Sequence, residues 1–162
     1  MADNFTCSVC GKEHAGLPTD KGYKLPDVVW AIAEPDRSAQ AKFTQDLCEF
    51  GERYFIRCVL KVPFSETDGY FGWGVWTEVE WSVYERYLEL YDQEGSAEPP
   101  HEATLANALP AYEKTLGAAV TIQFGSQTQR PIAELLPRDE SRLAFDQRNG
   151  IDNARHHEIL DL

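Results

Sequence analysis

Positive charge is scarce in this chain of 162 residues: 15 lysines and arginines stand against 27 aspartates and glutamates, a formal charge of −12. So few cations cannot displace the counterions of a phosphate backbone, which argues against nucleic acid as a partner. Long hydrophobic runs are also missing. Nothing approaches the about 18 apolar residues of a membrane-spanning helix, and the longest run, Val28 to Ala33, stops at Glu34 and Pro35. The opening Met1-Ala2-Asp3-Asn4 has neither a basic nor an apolar signal character, so a cytoplasmic protein is expected. Internal repeats and low-complexity tracts are absent as well.

What is present favours a folded domain. Apolar residues make up 43% of the chain and 19 residues are aromatic, burial that disordered chains lack. A chain of this length buries roughly 70% of its unfolded surface. One domain over 1–162 is therefore expected, with a small element at 1–20 and a body at 21–162. The charge is unevenly spread. Residues 63–125 hold only Arg86 and Lys114 against eleven acidic side chains. Such a region is either a solvated face or a docking face for a basic partner.

Hydrophobic periodicity places the body's elements. Tyr54, Ile56, Cys58, Leu60 and Val62 alternate with Arg57 and Lys61, the pattern of a half-buried strand ending at Pro63. A second strand is predicted from Tyr70 to Trp81, with Phe71, Trp73, Val75, Val79 and Trp81 on its core face and Gly72 and Gly74 beside Trp76. The intervening Ser65–Gly69 reads as a hairpin turn. Ser82 and Glu85 have the spacing of a capping box, followed by Tyr84, Tyr87, Leu88 and Tyr91 at helical spacing. A helix is predicted over Ser82 to Asp92, its outer face carrying Glu85, Glu89 and Asp92 as candidate partner-binding residues, with Arg86 the one nearby cation.

Further strands are predicted at Ala118–Phe124 and Ile132–Leu136, and helical starts at Asp139 and Asp152 around the turn signal Asn149-Gly150. Val28–Ala33 reads as a short strand, Asp36–Phe43 as a short helix, and Gly95–Pro100 as a linker followed by an exposed His101. The expected fold is α+β: a central, mostly antiparallel sheet of about four strands with flanking helices and an N-terminal zinc-knuckle hairpin.

Four cysteines without an export signal suit thiols or metal ligands better than a disulfide framework. Cys7-Ser8-Val9-Cys10 followed by Gly11-Lys12 has the form of a zinc knuckle, because two thiolates three positions apart reach one tetrahedral ion when the backbone turns between them. A closed structural Zn2+ site needs four ligands. His14 and Cys48 are the candidates to complete Cys7 and Cys10. Cys58 is the lesser choice, since its strand position assigns it to the core. A purely structural pair and a redox pair are the alternatives, although no strand precedes Cys7 to build the usual redox setting.

Catalytic signatures are absent: there is no GxSxG elbow, phosphate loop or dinucleotide fingerprint. His156 and His157 are adjacent on a predicted helix and point about 100° apart, so they cannot form the HExxH metal face. Arg57 with Trp73 and Trp76 is the candidate ligand pocket, aromatic walls around one cation.

The series Cys7-Ser8-Val9-Cys10-Gly11-Lys12-Glu13-His14, Gly16-Leu17-Pro18, Asp46-Leu47-Cys48, Tyr54-Phe55-Ile56-Arg57 and Trp73-Gly74-Val75-Trp76 resembles the bacterial family called domain of unknown function 2199. Leu109-Pro110-Ala111-Tyr112, Arg130-Pro131 and Gln147-Arg148-Asn149-Gly150-Ile151 fit the same pattern. The resemblance implies no activity, but it marks Cys48 among the family's positions, while Cys58 stands where the family pattern has glycine. The reading is thus a zinc-stabilised, non-enzymatic module whose acidic region binds a basic protein, as a toxin-immunity protein does. The alternatives are a small-molecule enzyme with a pocket near Trp76 and a CxxC redox sensor.

Overall fold

The computed structural model describes residues 19–160, together with the backbone of two short strands, β1 (Phe5–Thr6) and β2 (Glu13–His14). These two pair antiparallel, Phe5 with His14 and Thr6 with Glu13. Cys7, Cys10 and the knuckle they were expected to form lie outside the described residues.

Two long strands organise the body. β6 (Arg53–Pro63) and β7 (Tyr70–Val79) pair antiparallel from Tyr54–Val79 to Pro63–Tyr70. The expected turn joins them, with Phe64 N–H donating to the Gly69 carbonyl at 3.1 Å and Gly69 at φ 97°. Alternation sends Ile56, Cys58, Leu60 and Val62 to one side, facing Phe71, Trp73 and Val75, all fully buried. The meander continues through β8 (His101–Leu105), β9 (Ala119–Gln123) and β10 (Ile132–Leu135), each antiparallel to the one before. β10 then returns to β6 in parallel, Ile132 opposite Val59, with Val59 N–H donating to the Pro131 carbonyl at 2.9 Å.

This last pairing corrects the expected open four-stranded sheet. The five strands close into a barrel, and three more strands extend it to an eight-stranded sheet. β6 and β7 are longer than the barrel needs. The first half of β6 pairs with β5 (Leu47–Phe50), which carries β4 (Ala41–Phe43), while the first half of β7 takes β3 (Asp20–Gly22) in parallel. Closure leaves β8, β9 and β10 each paired on both sides, and β3 and β4 are the strands that end the sheet.

Helices cover what remains apolar. α3 (Trp81–Leu90) lays Tyr84 and Tyr87 on the barrel core. It differs from the expected helix in its start: Glu80 is the N-cap, no side chain caps it, and the Ser82–Glu85 box does not form. The second strand correspondingly ends at Val79, and Trp81, expected in the core, is 46% exposed. Leu88 and Tyr91, expected in the apolar stripe, are exposed too. α4 (Arg142–Asn149) begins at Ser141, whose Oγ accepts from Ala144 N–H at 3.2 Å, and α5 (Asn153–Leu160) follows beyond Gly150 at φ 87°.

Val28–Ala33 is not a strand. Pro26 starts α1 (Asp27–Trp30), because proline's fixed φ suits a helix entry. The expected helix at Asp36–Phe43 divides into α2 (Glu34–Gln40) and β4. Outside the barrel, Leu25, Val29, Ala41, Cys48, Phe55, Trp76 and Ala106 form a second, smaller core. No helix among the described residues is long and apolar enough to cross a membrane.

Candidate functional site

The acidic middle of the chain becomes a surface through one strand pairing and one chain connection. β7 meets β8 with Glu78 opposite Thr104, and the chain leaves β7 directly into α3. Glu78 and Glu80 thereby approach Glu102 of β8 around a groove of about 600 Å³ whose apolar lining includes Val79, Val83 and Val120. Arg53 neutralises Glu78 through two bonds, 2.9 and 2.7 Å. Glu80 and Glu102 have no ion-pair partner among the described residues, and Arg138 also borders the groove. Glu85, Glu89 and Asp92 are all exposed, with Asp92 just past the end of α3. Arg86 answers the crowding, donating to Glu89 at 2.9 Å and to both oxygens of Glu98 at 3.1 and 3.0 Å. These bonds hold the Glu98 carboxyl below its ordinary pKa. His101, expected on a loop, is a strand residue whose Nε2 lies 3.1 Å from Glu98 and whose ring lies tilted against Phe124, centroids 5.1 Å apart.

The outward face of β6 and β7 carries a different chemistry. Of the expected pocket, Arg57 and Trp76 are cross-strand partners on this face, whereas Trp73 is inside the barrel on the opposite one. Trp76 is itself enclosed: its backbone N–H donates to Asn107 Oδ1 at 2.7 Å, and its indole N–H donates to the Tyr23 carbonyl at 3.0 Å. Asn107, fully buried, also donates to the Leu25 carbonyl and to Asp27 Oδ1, both at 2.9 Å. Trp76 is therefore a wall of the second core and not of an open pocket.

Arg57 keeps other company. Its backbone N–H donates to the Asp46 carbonyl at 3.0 Å, which sets Asp46 across from it on the same face. The Asp46 carboxylate accepts from Arg130 Nε at 2.9 Å and from the Tyr91 hydroxyl at 2.7 Å. Burial works against the charged carboxylate, but the bonds from Tyr91 and Arg130 and the charges of Arg130 and Arg57 outweigh it and lower the Asp46 pKa. Asp46, Tyr91 and Arg130 border a cavity of about 410 Å³ whose lining also includes Tyr87, Ser126 and Thr128. Burial, and then the charge of Arg130, lower the Arg57 pKa, with Asp46 opposing them.

The proposed metal ligands are spread between described and undescribed residues. The side chain of His14, like Cys7 and Cys10, lies outside the description. Cys48 sits on β5, fully buried within the second core. Burial, aided by the charge of Glu49, pushes its thiol up to about 12. Cys58 points into the barrel, 3.3 Å from Thr77 Oγ1, and burial raises it likewise to about 12. No group of three His, Cys, Asp or Glu side chains suited to a metal occurs among the described residues.

Sequence reading missed Asp46, Tyr91 and Arg130 as a set, since 84 residues separate Asp46 from Arg130. It also missed Glu78, Glu80 and Glu102 as a groove. The local acid excess was the one available signal. The chain belongs to the bacterial family whose description is "Uncharacterized protein conserved in bacteria (DUF2199)", the match covering residues 6–151. No curated protein and no solved structure matches it.

Proposed function

We propose that this member of the DUF2199 family is a non-enzymatic recognition module that docks a basic segment of a partner protein at the groove between β7, β8 and the start of α3. The observation that carries this reading is the pairing of Glu80 and Glu102, neither of them ion-paired among the described residues, with the apolar lining of Val79, Val83 and Val120. A lysine or arginine has the complementary form, an aliphatic stem that packs on hydrocarbon and a cation that reaches carboxylates. The chain's −12 charge adds long-range attraction and speeds encounter. Exposed Trp81 and Leu88 on α3 offer further area of the kind found at interface anchors. The N-terminal thiols are proposed in addition to hold a structural Zn2+, supported by the antiparallel β1–β2 pair that flanks residues 7–12.

A fluorescent peptide of alternating lysine and leucine tests the groove by anisotropy. Binding is expected to weaken steeply with added salt. Glu80→Gln and Glu102→Gln should each weaken it about two- to fivefold, the range for exposed charges. Binding that ignores salt and is unaffected by the double substitution overturns the reading.

A further inference from the structure

Arg57 is a half-buried cation whose guanidinium has no hydrogen-bond acceptor among the described residues. Its Nε is shielded from solvent, and none of its side-chain nitrogens donates to an acceptor among the described residues. A guanidinium carries five N–H donors, and leaving such donors dry and unmet is costly. A cation needed merely for solubility would extend into water. Here the backbone is cut away to hold it instead. A Cβ on Gly22 would stand 2.7 Å from Arg57 Nη2, and one on Gly74 would stand 3.2 Å from it. The facing glycines of β3 and β7 thus let the guanidinium lie against bare main chain.

The charge count around it does not close. Asp46 is the carboxylate opposite Arg57, but its oxygens accept from Arg130 and Tyr91 and not from the Arg57 side chain. Arg130 commits only Nε and leaves its terminal nitrogens free of any acceptor among the described residues. Two guanidinium groups therefore share one carboxylate, a local surplus of positive charge on a chain with a net charge of −12. Arg130 and Asp46 line the cavity of about 410 Å³, as does Val59, the next residue on Arg57's face of β6. Arg57 does not itself line the cavity; its link to it is through Asp46, whose carbonyl accepts from the Arg57 backbone N–H at 3.0 Å.

We propose that Arg57 and Arg130 together receive an oxyanion, a carboxylate or phosphate group, on a small molecule whose body occupies the adjoining cavity. Planar guanidinium forks match the paired oxygens of either group. Asp46 fixes the orientation of Arg130 and lowers the surplus, so that one anionic group restores balance. Tyr87 and Tyr91 offer aromatic surface to the ligand's body, and Ser126 and Thr128 offer hydroxyls. The cavity falls within the size of small-molecule sites, roughly 300–1,000 Å³. This inference is independent of the groove proposed above, which lies at the opposite end of α3 and binds cations.

The probes are phenyl phosphate and benzoate, titrated into the full chain while the Arg Nε–Hε resonances are followed by NMR. A saturable downfield shift of the Arg57 resonance is expected, with affinity reduced at least tenfold in Arg130→Gln and Arg57→Gln, and unchanged in Arg148→Gln. Saturation by phenyl phosphate alone assigns a phosphate ligand, and saturation by benzoate alone assigns a carboxylate. Gly22→Ala guards against misfolding of the Arg57 variant: its methyl displaces only the tip of a flexible side chain, yet should weaken binding severalfold. No saturable shift from either probe up to about 20 mM, a concentration well above millimolar affinity, overturns the proposal. Undiminished binding by folded Arg130→Gln and Gly22→Ala overturns it too.

Discussion

Asp146 is the group whose removal should cost this fold most per atom. It lies on α4 with its side chain 1% exposed, and its carboxylate accepts from Arg142 Nε at 2.8 Å, Arg155 Nε at 3.1 Å and the Tyr112 hydroxyl at 2.7 Å. These bonds tie α4 to α5 and to the segment before β9. Replacing Asp146 with Ala strands each donor differently. Tyr112 is buried, so its hydroxyl loses its acceptor at about 1–3 kcal/mol. Arg155 keeps Glu158 at 3.1 Å and the Ala111 carbonyl at 3.2 Å but loses its buried counter-charge. Arg142 is 59% exposed, and an exposed pair contributes only about 0–1 kcal/mol.

Breaking a buried pair by deleting one partner typically costs about 3–5 kcal/mol, and the total should fall there. For a chain of this size that converts to roughly 6–20 °C in Tm, at about 2–4 °C per kcal/mol. Urea unfolding followed by circular dichroism, with calorimetry for Tm, measures both. Tyr112→Phe should lose about 1 kcal/mol, since Asp146 keeps both arginines. An Asp146→Ala protein within about 1 kcal/mol of wild type, at unchanged m-value, refutes the assignment.

Three further outcomes are expected. Because the Asp46 pKa is lower folded than unfolded, its stabilisation is present in full above the unfolded value and is lost as pH falls through the folded one; Asp46→Asn should therefore flatten the fall in urea stability below about pH 4, and an unchanged profile contradicts the Tyr91–Arg130 geometry. Cys48 and Cys58, both raised to about 12, should resist a thiol reagent at pH 8 in a Cys7→Ser, Cys10→Ser protein and react only on unfolding; rapid native labelling contradicts their burial. Cys10→Ser should lower Tm and remove bound zinc by elemental analysis; unchanged melting in a protein free of zinc contradicts a structural ion.

Local pattern made several features legible. The alternation through Tyr54–Val62 identified β6 and its buried face, and Phe71, Trp73 and Val75 identified that of β7. Where local and tertiary preferences diverge, the pattern misleads. Val28 and Val29 have strand character, but Pro26 and the second core make their segment helical. Trp81 continues the alternation of β7, yet the backbone turns into α3 after Glu80 and leaves the indole on Tyr54, ring centroids 5.0 Å apart. β8 escaped notice because its five residues include His101, Glu102 and Thr104, and only Ala103 and Leu105 are buried.

By itself, then, the amino-acid order determined which face of the long strands enters the main core, that Arg57 stands on the other one, and that acid gathers in the middle third. Only the tertiary structure decided that the strands close on themselves and that Arg57, Asp46 and Arg130 share one corner. Alternation at period two is the same in an open sheet and a closed barrel. Which edges meet depends on strand twist and on the burial won by contacts distant in sequence, such as Ile132 beside Val59, and no local window contains that information.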